Sequence, residues 1–113
     1  MITTTTESIA EMRIVRTLGL VRGAACRGRD IGRDLIAHLR NAVGGEITEY
    51  TKMLSETREQ ALDRMEEEAR ELGANAIVAV RFTTSEMMAG AAELLAYGTA
   101  VVVEPIAEED SDA

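Results

Sequence analysis

A two-layer α+β sandwich is the fold this sequence predicts, and three observations predict it. One amphipathic stretch, Ile47 to Leu72, is bounded by glycines and long enough for about seven helical turns. Three apolar segments rich in Val, Ile, Leu and Ala surround it, one before and two after. A second, shorter helical pattern lies between the first of these segments and the long stretch. The order strand, helix, helix, strand, strand places two helices on one face of an antiparallel three-stranded sheet.

Residues 1–11 form an N-terminal arm. Ile2 to Thr6 holds four threonines and one isoleucine, so it has the β-propensity of a short arm or an edge strand, ordered by docking on a neighbour. Ile9 to Arg13 is a linking turn. Arg13 to Ala24 is the first long strand, with apolar side chains in both registers. Gly19 inside it marks a bulge or a close backbone approach. Gly23 to Gly28 is expected to be a loop carrying Cys26.

Asp30 N-caps the shorter helix, which runs to about Val43 with Ile31, Leu35, Ile36, Leu39, Ala42 and Val43 on its apolar arc. Gly44-Gly45 then permits a sharp turn. In the long helix Ile47, Tyr50, Leu54, Thr57, Ala61, Met65, Ala69 and Leu72 recur at steps of three and four, on one stripe. Glu46 and Glu49 suit the positive end of the helix dipole and Arg70 the negative end. Glu66 and Arg70 form an i,i+4 pair, and Gly73 is placed to take the left-handed conformation that stops a helix.

Ala76 to Thr84 is the second strand, with Ala76, Val78, Val80 and Phe82 on one face and Ile77, Ala79, Arg81 and Thr83 on the other. Ser85 to Ala92 connects it to the third, Glu93 to Glu104. There Leu95, Tyr97, Thr99, Val101 and Val103 alternate with Leu94, Ala96, Gly98, Ala100 and Val102. The small trio Ala96, Gly98 and Ala100 invites close approach of the long helix. Pro105 ends the strand because it has no amide hydrogen for a ladder. A single domain thus spans 12–105, and 106–113 is an acidic tail of disordered composition. Two helices cover only one sheet face, yet all three strands are apolar in both registers. A monomer would expose a large apolar patch, so the pattern predicts a homo-oligomer.

Composition narrows the function. The net charge of −8 opposes phosphate backbones, which argues against nucleic acid as a partner. Most of the basic residues fall before Gly44, leaving room for an anionic ligand there, although a solvated or salt-bridged face is the ordinary reading. A single cysteine suits a reducing compartment. No apolar run reaches the length of a membrane span, and the first residues have neither the basic nor the apolar region of a signal peptide. The expected location is the cytoplasm, with no membrane partner.

Val43-Gly44-Gly45, Tyr50, Leu54, Arg58, Ala61, Ala69, the run Gly73-Ala74-Asn75-Ala76-Ile77-Val78 and the closing Gly98-Thr99-Ala100-Val101 together resemble the YbjQ-like family. The resemblance covers roughly residues 12 to 103. It implies a dodecin-subunit-like fold and five-subunit rings, with no established biochemical function. The family label is heavy-metal binding, with no ligand set attached.

For a soft metal such as Cu(I) or Zn(II), the candidate ligands are Cys26, His38, Met87 and Met88. No Cys-x-x-Cys, Met-x-x-Met or His-x-x-x-His occurs, and one Cys with one His cannot fill a closed four-ligand site in one subunit. Ligands donated around a ring would make up the number. The ordinary readings are a buried thiol and core-filling methionines. Cys26 also lies between Arg22, Arg27 and Arg29, a setting that favours a reactive thiolate if it faces solvent. Asp34 and His38, four residues apart, are the one acid–base pair to weigh as a catalytic site, against an ordinary i,i+4 surface pair. The Gly-x-x-x-Gly of Gly28 to Gly32 lacks the other features of a dinucleotide loop.

Tyr50, Arg58 and Asn75 are the polar groups of the resemblance block and the candidate ligand-binding residues, brought together around a ring. The reading as a whole is a small homo-oligomeric binding or scaffold protein whose ligand the sequence does not name. Interfacial soft-metal binding is the first alternative, and an acid–base enzyme at Asp34 and His38 the second.

Overall fold

The computed structural model describes residues 1–27, 45–88 and 91–107, and the side chains of 1–26, 54–85 and 93–107. The elements are β1 (Ile2–Thr3), β2 (Met12–Arg27), helix α1 (Gly45–Glu71), β3 (Ala76–Met88) and β4 (Ala91–Pro105). The shorter helix expected at Asp30 to Val43 lies outside the described residues. The sheet is ordered β1-β3-β4-β2, with α1 against one face.

Two features of the sheet differ from the expectation. It has four strands rather than three, and it is mixed rather than antiparallel, because β1 pairs with β3 in parallel. The threonine-rich arm docks on its own sheet: the Thr4 amide donates to the Ile77 carbonyl (3.0 Å) and the Val80 amide to that of Thr4 (3.0 Å). The long strands also run further than expected. β2 continues through the predicted loop to Arg27, with Cys26 opposite Glu93. β3 and β4 extend through most of the predicted connection, with Met88 opposite Ala91. Their ladders persist because β4 offers partners on both of its edges.

The stripe of α1 is buried where it crosses the sheet. Ala61, Met65 and Ala69 are fully buried and Thr57 nearly so, whereas Leu54 and Leu72 remain exposed. Fully burying a side chain such as Met65 contributes about 1.5–3 kcal/mol. The helix stops as its sequence indicates. Gly73 has φ +88° and donates to the Arg70 carbonyl (2.9 Å), and the Ala74 amide reaches back to Ala69 (3.0 Å). These two bonds make a Schellman cap. Arg70 and Glu66 pair at 3.4 Å, and Glu66 also accepts from the Thr3 hydroxyl (2.9 Å), tying α1 to β1.

The core is two clusters, one on each side of the sheet. On the helix side Val21, Ala25, Ile77, Val80, Ala96 and Ala100 meet Ala61, Met65 and Ala69. On the other side Ala76, Val78, Val101 and Val103 are packed by Ile9 and Met12 of the N-terminal segment. Ile77 and Val80 share a cluster although strict alternation would separate them. Ala79, at φ +55°, sits in a register shift between Val78 and Arg81, and this bulge moves Val80 and Phe82 to the face that Ile77 already occupies. Ala96 and Ala100 lie under the helix as expected. The helix approaches the sheet closely at Gly23, where a Cβ would run into the Ala61 carbonyl oxygen and the Met65 amide nitrogen. Gly98 instead makes room for β3: a Cβ there would stand 2.8 Å from Ile77 Cγ2.

Candidate functional site

Three places in the molecule carry the groups singled out from the sequence. The first is the turn from α1 into β3. Asn75 donates through its amide nitrogen to the Val103 carbonyl (2.9 Å) and accepts from the Val103 amide (2.8 Å). Its own backbone amide donates to Val101 (3.2 Å). The side chain thus imitates a strand partner for the end of β4, which is structural work for a candidate ligand group.

The second place is a cleft of about 470 Å³ between α1 and β3, lined by Ser55, Arg58, Glu59, Leu62 and Phe82. Leu62 and Phe82 give it an apolar floor, with Phe82 43% exposed. Phe82 reaches this face because of the bulge at Ala79. Arg58 and Glu59 supply opposite charges at the rim, and Arg58 donates to the Ser55 hydroxyl (3.3 Å). This size and mixture of apolar and polar lining suit a small molecule with a polar group. Phe82 was not among the sequence candidates, because alternation alone cannot locate a bulge.

The third place is the far end of the sheet. Cys26 is exposed and its thiol donates to Glu93 Oε2 at 4.0 Å. The register runs Cys26, Glu93, Ser85 across β2, β4 and β3, so the backbones of Met87 and Met88 lie at this same end. The side chains of Met87 and Met88 are outside the described set, as are Asp34 and His38 altogether. Among the described residues no three His, Cys, Asp or Glu side chains gather as a metal site.

Within one subunit the ligand candidates do not converge. Tyr50, whose backbone lies in the early turns of α1, stands about 30 Å along the helix from its C-terminal end, next to Asn75, by the 1.5 Å rise per residue. Arg58 is about 20 Å from that end on the same measure. Any site using all three needs more than one copy.

Comparison with known proteins places the chain in a populous group. A family model named YbjQ_1, described as "Putative heavy-metal-binding", matches residues 1–104. A UPF0145 protein of Dehalococcoides mccartyi strain BAV1 is 57% identical over 104 residues, 92% of this chain and 100% of the relative. A UPF0145 protein of Methanosarcina acetivorans is 54% identical over 103 residues, 91% of this chain and 97% of the relative. Among solved structures, a protein of unknown function of the DUF74 family from Pediococcus pentosaceus superposes with a TM-score of 0.61 at 16% identity, covering 92% of this chain and 98% of that one. That likeness extends to the fold alone.

Proposed function

We propose that this chain, which belongs to the YbjQ family, acts as a self-assembling binding or scaffold module in the cytoplasm, built as a ring of five subunits. The chain measures 62 × 27 × 16 Å with a radius of gyration of 18.3 Å, and this observation carries the self-assembly, while the number five is what the family resemblance implies. A compact chain of about 100 residues has a radius near 13 Å. A plate this long and thin leaves part of its sheet open. Leu20 is 62% exposed, Ile14, Val15 and Tyr97 are 37% exposed, and the outer edge of β2 has no strand partner among the described residues. Edges and faces of this kind are usually covered by another chain. No described helix is long and apolar enough to cross a membrane, which fits a module that works in aqueous solution.

Native mass spectrometry on gently purified protein tests this directly. A five-subunit mass is the expected result, and any stoichiometric extra mass identifies the ligand. A monodisperse monomer at micromolar concentration overturns the proposal. The cleft at Arg58 and Phe82 is the ligand site this reading favours, completed by the neighbouring subunit.

A second reading is interfacial soft-metal binding by Cys26, His38, Met87 and Met88. It is supported by the placement of Cys26 at the same end of the sheet as the Met87-Met88 backbone. Its test is copper and zinc content per subunit. Loss of the metal in a Cys26→Ser, His38→Ala variant supports it, and equal retention excludes these two ligands.

A further inference from the structure

The charged residues of β2 are all basic, whereas α1 carries a run of exposed acids beside Lys52, Arg58, Arg64 and Arg70. β2 carries Arg13, Arg16, Arg22 and Arg27 and no acid. On α1 the residues Glu56, Glu59, Asp63, Glu67 and Glu71 follow one another at steps of three and four, and all are exposed. At 100° per residue they form a ridge on the side opposite the buried Ala61, Met65 and Ala69, with Arg70, paired to Glu66, on the same arc. The ridge therefore faces directly away from the sheet.

The open part of the other sheet face has the complementary chemistry. Arg22 and Arg81 are both register partners of Tyr97, from β2 and β3. Directly opposed residues share a face, so the three form a row across the sheet with Tyr97 in the middle. Leu20, Leu95 and Thr99 belong to the same face by the same register. This is the face away from the helix, because their neighbours Val21, Ala96 and Ala100 pack against α1. Arg81 donates to the Thr5 carbonyl (2.8 Å), and Arg22 makes no hydrogen bond or ion pair with the described residues. In a chain of net charge −8, two arginines without carboxylate partners among the described residues flank an aromatic on an open face.

We infer that subunits pack head to tail, with the acidic ridge of α1 of one copy seated on the Arg22–Tyr97–Arg81 face of the next. The inference rests on the self-assembly reading and names its surface. Each copy presents one ridge and one face, on opposite sides, so the contact is heterologous and closes into a ring when the rotation permits. Tyr97, Leu20 and Leu95 supply the apolar centre, and the arginines meet the carboxylates and fix the register. Complementary potentials of this kind govern encounter rate and partner choice as well as affinity.

The experiment compares the oligomeric state of the parent, Arg22→Glu, and Arg22→Glu combined with Asp63→Arg and Glu67→Arg. The measurement is light scattering after size exclusion, in about 50 mM and about 1 M salt, a span that takes the screening length from roughly 14 to 3 Å. Circular dichroism confirms that each variant is folded, and exposure of Arg22 makes that the expected outcome. The parent should assemble more weakly in high salt. Arg22→Glu should dissociate at a concentration roughly tenfold or more higher in low salt. The combined charge swap should recover assembly, which a merely structural role for Arg22 would not produce. Assembly of Arg22→Glu as tight as the parent overturns the head-to-tail contact and leaves self-assembly standing. A monomeric parent overturns both readings. If the parent carries a co-purified anion that Arg22→Glu loses, with assembly unchanged, the face is an anion site and the contact is overturned.

Discussion

The two faces of β4 carry opposite solutions to the same problem. Towards α1, Ala96 and Ala100 are small and fully buried, and across the strand pair Gly23 lets the helix backbone come within touching distance of the sheet. Away from α1, the same strand is sealed only at one end. There Val101 and Val103 lie beneath Ile9 and Met12, and Asn75 clamps the strand through Val103. Farther along, Tyr97 is about one-third exposed and Leu20, opposite Thr99, is largely in the open. On β4, side-chain size follows the cover available: alanines under the helix and a tyrosine on the open side.

Substitutions on the sealed side should therefore cost stability, and those on the open side should cost assembly. All stabilities are compared at one protomer concentration, since assembly shifts apparent stability by mass action. The largest effect belongs to Gly23→Val, which drives a branched side chain into the backbone of α1. Overpacking costs 1–3 kcal/mol and occasionally more, and with no flexible side chain to yield, about 3 kcal/mol or more is expected in chemical denaturation. Met65→Ala empties the centre of the helix-side cluster and should cost about 2–5 kcal/mol. If either variant is as stable as the parent, the helix does not sit where the fold places it.

Asn75→Ala probes the sealed end of the other face. It leaves the Val103 amide and carbonyl without their partner and should cost about 1–3 kcal/mol. An undiminished melting temperature would mean that water replaces the clamp without loss. Gly73→Ala tests the helix cap. Nothing stands within 4 Å of a Cβ there, so the cost is conformational, about 1 kcal/mol for the positive φ. Leu20→Ser should have the smallest effect on subunit stability, within about 0.5 kcal/mol as a surface change, while lowering the oligomer mass seen by light scattering at low concentration. Equal loss of subunit stability and assembly would erase the distinction between the two sides.

Elements that depend on neighbours in the chain were legible from residue order. The long helix, its Arg70–Glu66 pair, its glycine stop, the bulge at Gly19 and the alternation of β4 all match their expected positions, because each depends on a local period or a local backbone preference. The candidate site was less legible. Arg58 does line a cleft, but Phe82 entered it only through the bulge at Ala79. Asn75 is hydrogen-bonded to the backbone of Val103, twenty-eight residues away.

The four-strand order belongs to the second class. Nothing in the four threonines of the arm distinguishes docking on a neighbour from pairing with Ile77 and Val80 of the same sheet, since strand formers pair with whatever edge is nearest. Gly23 had the composition of a loop, and only the helix lying across β2 shows that its missing side chain is a contact surface. Period and propensity act over a few residues, so the amino-acid order alone specified the helix, its ends and the faces of β4. The bulge at Ala79, the parallel β1–β3 ladder and the Gly23 contact arise between segments far apart in the chain. Their energies exist only once those segments meet, and so they were settled by the assembled tertiary structure.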